Sequence, residues 1–235
     1  MQLSDKKVFN MAVYMSDPVI NSVYEEARIK YCSASHDFSH AVRVADHCHS
    51  IAPSVSADIR ICTVAALLHD IGRSDRSEHE HFDSSEDVRK LLDGKFDPVF
   101  IGRVVKCIER HSSSSLEFPE SPEEKTIFDA DKLDGYGYTG VARFFTYAGE
   151  NRLDIKQALN EAIRRMESIE RRGSFLTPAG RRMGRSRAFR AFAYYLSLAR
   201  EFGLEDEEIR MRDVLIASQG KIAGNIALAL IKLLY

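Results

Sequence analysis

The sequence has almost no excess of charge, since 33 basic residues stand against 35 acidic residues and leave a formal net charge of -2. Such a balance provides no global attraction to nucleic acid or to an acidic membrane surface, so we expect no stable nucleic-acid partner. A local site must then determine the function. The length of 235 residues is enough for one large domain with a substantial core.

Paired cysteines and long apolar runs are also missing. The four cysteines, of which three fall in apolar helical stretches, show no Cys-x-x-Cys spacing (Cys32, Cys48, Cys62, Cys107). The first seven residues lack the apolar core of a signal peptide. The stretch 222–234 is too short and too polar to span a bilayer. We therefore expect a protein of the reducing cytoplasm with no membrane partner.

No alternating strand pattern and no internal repeat occurs, whereas helical periodicity extends along most of the chain. Two predicted helices begin at a cap, one running from Ser35 or Asp37 to 51 and the other from Ser84 or Ser85 to Gly94. The others cover 18–30, 57–70, 98–111, 123–132, 138–149, 152–171, 179–202, 206–217 and 221–234. The pattern predicts an all-α protein forming a single domain over 1–235. Its core is expected at about 18–149, followed by a C-terminal helical extension at about 150–235.

Four side chains that commonly bind metals are placed to converge inside such a bundle. His69 and Asp70 follow the apolar run 61–68 at the end of a predicted buried helix. His40 and Asp131 lie near the inner faces or ends of other helices, which is how helical proteins build internal sites. Two imidazoles and two carboxylates suit Mn²⁺, Fe²⁺, Zn²⁺ or Ni²⁺ rather than Ca²⁺. An ion held by four ligands keeps positions for water and substrate, lowers the pKa of the water and polarises a phosphoryl oxygen.

The order His40, His69-Asp70, Asp131 resembles the H…HD…D signature of the HD-domain superfamily of metal-dependent phosphohydrolases. Three blocks are similar to the HD..H..RV, LLHDIGR and DADKLDG blocks of small bacterial HD-domain hydrolases, namely residues 36–44, 66–73 and 129–135. The resemblance covers roughly residues 30–145. It implies a helical bundle of the HD-domain type in which His40, His69, Asp70 and Asp131 are the metal ligands.

Two near-duplicates of these ligands need a separate interpretation. The dipeptide His36-Asp37 precedes its helix, so we interpret Asp37 as an N-cap and His36 as a loop residue. Asp129 and Asp134 flank Asp131 at about 200° and 300° around the same helix axis. Only one of these three carboxylates needs to point inward, and the family pattern selects Asp131.

His81 and His111 are the next candidates. In some HD branches two additional histidines bind a second metal, and His81 and His111 occupy similar places, so the resemblance implies one ion or two. Alternatively, these histidines steady the transferring phosphate or protonate the leaving oxygen as catalytic groups, or have an ordinary surface role. The expected ion is Mn²⁺, Fe²⁺, Ni²⁺ or Zn²⁺, with Mg²⁺ as a further candidate.

Cationic side chains close to the predicted ligands are candidates for substrate binding. Related nucleotide-cleaving HD proteins use a lysine in the place of Lys132 to contact phosphate, which makes Lys132 a catalytic and substrate-binding candidate. Arg43 and Arg73 also lie near ligand segments, where each binds phosphate or forms an ion pair with a neighbouring carboxylate. The basic stretch 171–190 is either a solvated helix face or a positive rim for an anionic substrate.

The resemblance implies a metal-dependent phosphohydrolase. The expected substrate is a small phosphorylated metabolite, a nucleotide or a related phosphate ester, attacked at phosphorus by metal-bound hydroxide. One alternative is a di-iron oxygenase of the HD-like type, which requires both His81 and His111 as ligands. Another is a binding or regulatory module that retains the metal without turnover. An apolar stripe within 222–233 leaves both a monomer and a homodimer open.

Overall fold

The computed structural model describes residues 16–31, 34–71, 85–112, 115, 117–171 and 175–219, with the backbone alone at 168–171 and 218–219. These residues form α-helices and no strand, which confirms the all-α prediction. The helices are α1 (Pro18–Arg28), α2 (Phe38–Ile51), α3 (Ile59–Leu68), α4 (Ser85–Leu92), α5 (Pro98–Glu109), α6 (Pro122–Asp134), α7 (Gly137–Glu150), α8 (Ile155–Arg171), α9 (Pro178–Glu201) and α10 (Glu205–Gln219). The predicted helix over 221–234 lies outside the described residues.

Aspartate caps define several of the helix starts. Asp17, Asp58 and Asp97 each accept hydrogen bonds from backbone amides of the first turn that follows them. Asp37 does the same for the amide of His40, which confirms its interpretation as a cap. These carboxylates satisfy amides that have no partner inside the helix and lie at the positive end of its dipole.

Helix α3 is the centre of the bundle. Every residue from Ile61 to Leu68 is buried, because α2, α5 and α6 pack around this helix. This environment explains an apolar run that lacks a polar face. The helix ends at Leu68 rather than at the predicted residue 70, so His69 and Asp70 form the turn that follows it.

The C-terminal helices pack against the predicted core. Helix α9 lies against α6, α7 and α10, and α10 also packs on α8. The start of α9 is held by Asp129 of α6, which accepts hydrogen bonds from the Leu176 amide at 2.7 Å and from the Thr177 amide and hydroxyl at 2.7 and 2.6 Å. The extension therefore contacts the helix that contains the predicted ligand Asp131.

The cysteines and the hydropathy of the helices agree with the sequence in the part of the chain that the structure describes. Cys48, Cys62 and Cys107 are buried and not bonded to one another. Among the helices that the structure describes, none has the length and apolar character needed to cross a bilayer.

Candidate metal centre

The predicted ligands meet at the centre of the bundle. His40 lies in the first turn of α2, His69 and Asp70 in the turn after α3, and Asp131 in the last turn of α6. A fifth side chain, His111, approaches from just beyond the end of α5. All five donors thus lie in the first or last turn of a helix or in the residues just after one.

The distances among the donor atoms suit one coordination shell. His40 Nε2 lies 3.1 Å from His69 Nε2, 3.3 Å from Asp131 Oδ1 and 3.6 Å from Asp70 Oδ2. His69 Nε2 lies 3.3 Å from Asp70 Oδ2 and 3.9 Å from Asp131 Oδ1. Ligand atoms ~2.1 Å from one ion are about 3.0 Å apart at right angles and about 4.2 Å apart when opposite. The five measured distances lie close to this range, and donor atoms of His40, His69 and Asp131 all lie within 4.8 Å of one another.

The three imidazoles are oriented by hydrogen bonds on their Nδ1 atoms. His69 Nδ1 donates to the carbonyl three residues earlier at 2.8 Å, and His111 Nδ1 does the same at 2.5 Å. A carbonyl oxygen only accepts, so Nδ1 holds the proton and Nε2 presents its lone pair. His40 Nδ1 contacts Asp134 Oδ2 at 2.8 Å. Such partners on the far ring nitrogen are typical of metal-binding histidines.

Asp134 is the residue whose importance the sequence did not reveal. It is fully buried and contacts His40, Arg43 and Arg143. Only one carboxylate of the 129–134 segment needed to point inward, but Asp129 and Asp134 are both 0% exposed and Asp131 reaches the donor cluster. Asp131 and Asp134 both contact His40, because residues three apart share a helix face. The sequence contained a signal for this, because a separation of about 300° around the helix axis places Asp134 only about 60° from Asp131 in the other direction.

Burial divides the centre into a closed side and an open side. The side chains of His40 and His69 are 0% exposed and that of Asp70 is 4% exposed. The side chains of Asp131 and His111 are 28% and 14% exposed. A substrate that reaches the donors from solvent would therefore arrive past Asp131 and His111.

The electrostatics of the centre follow from buried opposite charges. Burial alone would lower the pKa of His40, but hydrogen bonds to Asp131, Asp134 and Asp70 raise it to about 10. Burial alone would raise the pKa of Asp131, but the hydrogen bond and charge of His40 hold it well below its usual range. Burial, together with the neighbouring His69, lowers the pKa of His111.

His111 belongs to a second group of possible donors. Donor atoms of His69, Asp70 and His111 lie within 4.8 Å of one another, as do those of His40, His69 and Asp131. His111 Nε2 is 3.9 Å from Asp70 Oδ1. The other two residues expected in this region, His81 and Arg73, lie outside the described residues.

The predicted substrate-binding cations occupy different surroundings. Arg43 forms the ion pair that was its alternative interpretation, with Nε 2.8 Å and Nη2 3.0 Å from the Asp134 carboxylate. Lys132 is buried, and its Nζ lies 3.7 Å from the centroid of the Phe128 ring. A phosphate contact by either residue remains a prediction.

The basic stretch has a mixed character in the part that the structure describes. Arg181 donates to the carbonyls of residues 175 and 176, and Arg187 donates to that of Leu133 at 3.1 Å. The side chains of Arg182, Arg185 and Arg190 are exposed. Arg187 therefore joins α9 to the end of α6, while the exposed arginines form a solvated face.

The comparisons with known proteins concern the same region. A model of the HD domain matches residues 37–136, the segment that contains all five donors described above. Protein YpgQ of Bacillus subtilis strain 168 is 34% identical over 121 residues, which are 50% of this chain and 59% of YpgQ. The match thus spans less than two thirds of the length of that relative.

Two solved structures share the architecture. A crystal structure of Bacillus subtilis YpgQ in complex with ADP has a TM-score of 0.60 and 25% identity, and the match covers 77% of this chain and 96% of that chain. A predicted HD superfamily hydrolase from an uncultured Thermotogales bacterium has a TM-score of 0.55 and 27% identity. That match covers 83% of this chain and 98% of the other chain.

Proposed function

Residues 37–136 of this chain belong to the HD-domain family, and on that premise we propose that the protein is a metal-dependent phosphohydrolase. Its substrate would be a small phosphorylated metabolite, a nucleotide or a related phosphate ester. The observation that supports this most is the convergence of oriented imidazole nitrogens and carboxylates on one point with an accessible side.

His40, His69, Asp70 and Asp131 would hold the ion. Imidazole and carboxylate donors suit Mn²⁺, Fe²⁺, Ni²⁺ or Zn²⁺, and Mg²⁺ remains a candidate. When bound, such an ion supplies a water of lowered pKa and polarises a phosphoryl oxygen. The closed side of the centre would limit the approach of substrate to the side of Asp131 and His111.

His111 is proposed to act at the accessible side of the centre. Its Nδ1 proton is held by a backbone carbonyl, so Nε2 is the ring atom that faces the donors. That atom could bind a second ion together with His81, or it could hold a proton at the phosphate. Lys132, directly after Asp131, and Arg73 are proposed to contact the phosphate groups.

A nucleotide is the proposed substrate class on two grounds. Structurally similar YpgQ was crystallised with ADP. The ligand set also suits phosphate chemistry, because an ion with open positions neutralises charge on phosphoryl oxygens. We further propose that the protein acts in the cytoplasm on a small molecule rather than on nucleic acid, as a monomer or a homodimer.

Hydrolysis by metal-loaded protein is the direct test. Metal content per chain is measured by elemental analysis, and phosphate release is then followed on phosphomonoesters, phosphodiesters and nucleotides. We expect hydrolysis by the parent and a loss of about 100-fold or more in Asp131→Asn, which removes a charged ligand. Asp93→Asn, an exposed carboxylate after α4, is the matched control and should retain full activity.

Two results would contradict the proposal. One is a metal-loaded parent that cleaves no member of the panel. The other is an Asp131→Asn variant that cleaves as fast as the parent. Oxygen consumption by iron-loaded protein without phosphate release would instead favour the di-iron oxygenase.

A further inference from the structure

We propose that Asp134, held by Arg43 and Arg143, is a positioning residue that orients His40 toward the metal ion. The inference rests on the proposed metal centre and goes beyond it by adding a buried ion cluster behind one ligand. None of these three side chains would touch the substrate or the ion in this role. They would act through the imidazole of His40.

The geometry places Asp134 and the donor cluster on opposite edges of the same ring. Asp134 Oδ2 is 2.8 Å from His40 Nδ1, while His40 Nε2 is 3.1 Å from His69 Nε2. A carboxylate is an acceptor, so the contact keeps a proton on Nδ1, and an ion that displaces the other ring proton would bind at Nε2. It also fixes the rotation of the ring and makes Nε2 a stronger ligand.

Two guanidinium groups hold the Asp134 carboxylate in place. Arg43 donates from Nε to Oδ1 at 2.8 Å and from Nη2 to Oδ2 at 3.0 Å, which is a bidentate contact. Arg143 donates from Nη1 to Oδ2 at 3.0 Å and from Nε to the carbonyl of Ser35 at 2.9 Å. The carboxylate thus has several fixed donors and little freedom to rotate away from His40.

The cluster also connects three helices to one ligand. His40 and Arg43 come from α2, Asp134 from α6 and Arg143 from α7. Asp134 is 0% exposed, whereas the side chains of Arg43 and Arg143 are 28% and 17% exposed. A buried charge is tolerated when it is paired and hydrogen-bonded, as this one is. Arg43 therefore has a role that needs no phosphate contact.

The main test compares two buried carboxylates of α6. Asp134→Asn keeps the size of the side chain but loses the charge that pairs with both arginines and with the His40 ring. Asp129→Asn is the control, because Asp129 is also buried and hydrogen-bonded but contacts Leu176 and Thr177 instead of a ligand. The affinity for Mn²⁺ is measured by calorimetry on metal-free protein of each variant, after circular dichroism has verified folding.

We expect Asp134→Asn to weaken Mn²⁺ binding by about 10- to 100-fold, the range seen when the partner of a ligating histidine is removed. Asp129→Asn should bind Mn²⁺ within about twofold of the parent, although its thermal midpoint falls. In zinc-loaded protein with ¹⁵N-labelled histidine, the Nδ1 proton of His40 should move upfield in Asp134→Asn alone. This signal reports the hydrogen bond itself, which a general loss of stability would not change.

A second pair of variants decides the question if Asp134→Asn does not fold. Arg143→Met removes one of the two guanidinium groups, and we expect a loss of Mn²⁺ affinity of about 3- to 10-fold. Arg103→Met is its control, because Arg103 pairs with buried Glu123 at 3.1 Å, away from the ligands. This control should retain the affinity of the parent.

Parent-like Mn²⁺ affinity in Asp134→Asn, or in Arg143→Met if the former does not fold, would overturn the inference. An equal loss in Asp129→Asn would do so as well, because the effect would then be structural. Failure of the proposed function is distinguishable from these results. It would appear as absent hydrolysis by the parent, whereas the positioning role is judged by metal affinity and the His40 proton signal.

Discussion

Each of the three histidines at the centre is oriented by a hydrogen bond at Nδ1, the ring nitrogen that faces away from the donor cluster. His69 and His111 follow helix ends, where the last carbonyls lack the amide that would continue the helix, and each ring donates to one of these carbonyls. His40 follows a helix start, where no such carbonyl is available, and it uses the buried Asp134 carboxylate. The same residue type therefore depends on local backbone in two places and on tertiary packing in the third.

Gly180 allows the start of α9 to approach α6 closely, because glycine has no Cβ. A Cβ at Gly180 would collide with the Asp129 carboxylate that holds the start of α9. We predict that Gly180→Ala lowers the free energy of unfolding by about 1–3 kcal/mol, because the carboxylate or the helix must move. Urea unfolding followed by circular dichroism measures this change.

Gly102 in the middle of α5 is the matched control for Gly180. A Cβ there meets nothing within 4 Å. Gly102→Ala should therefore stabilise the protein by roughly 0.5–1 kcal/mol through helix propensity. Equal effects of the two substitutions would show that the contact between Gly180 and Asp129 has no energetic importance.

At the scale of elements, α6 connects the centre to the rest of the bundle. Its first turn holds Glu123, which accepts from the amide of Asp58 at 2.8 Å and so ties α6 to the start of α3. Its middle holds Asp129, which fixes α9, and its last turn holds Asp131 and Asp134. Many of its buried residues are polar, so its sequence lacks the simple apolar stripe of an amphipathic helix.

The carboxylate at the start of α6 predicts a dependence of stability on pH. Burial alone would raise the pKa of Glu123, but hydrogen bonds from the Asp58 amide and Arg103 lower it below its ordinary value. A depressed carboxyl pKa stabilises the fold above the unfolded value of about 4.3, and this contribution is lost as the pH falls through the lower folded value.

Glu123→Gln is the substitution that tests this dependence. We expect it to lower the free energy of unfolding by about 1–2 kcal/mol at pH 7. The difference from the parent should shrink as the pH falls below about 4.3. Urea titrations at a series of pH values from about 3.5 to about 7 measure this difference in the free energy of unfolding, since that range includes the unfolded glutamate pKa. Glu25→Gln, at an exposed position, is the control. A difference that stays constant across this range would contradict the assignment.

At the scale of the whole molecule, the proposed ion would join segments that are distant along the chain. Its ligands come from α2, from the turn after α3 and from α6, so an ion that binds them acts on the folded state alone. Binding of this kind stabilises a protein by about 2.7 kcal/mol when the free ion is at 100 times its dissociation constant.

We therefore predict that Mn²⁺ raises the thermal midpoint and that a chelator reverses the rise. For a chain of 235 residues, about 2.7 kcal/mol corresponds to a shift of roughly 5–10 °C. Differential scanning calorimetry measures the shift, and Asp131→Asn should remove most of it. A midpoint that does not respond to any of the candidate ions would argue against a metal centre built from these residues.

Much of the fold was predictable because helix signals are local. Proline at first helical positions and aspartate caps act within one turn, so the predicted and observed bounds agree within a few residues for most of the helices described. Asp37 illustrates this, since its role as a cap followed from its position before α2. The resemblance likewise predicted His40, His69, Asp70 and Asp131 by their order along the chain.

Sequence by itself determined the helical class and the cap at Asp37, and the family resemblance predicted the four proposed ligands. Periodicity, capping and a spaced motif are properties of the chain in one dimension. Tertiary structure decided the partners: Asp134 with Arg43 and Arg143, Asp129 with the start of α9, and Lys132 against Phe128. The sequence does not reveal whether a carboxylate on a helix will contact a cation, an amide or an imidazole in the folded protein. Only the packing of helices distant along the chain makes that choice.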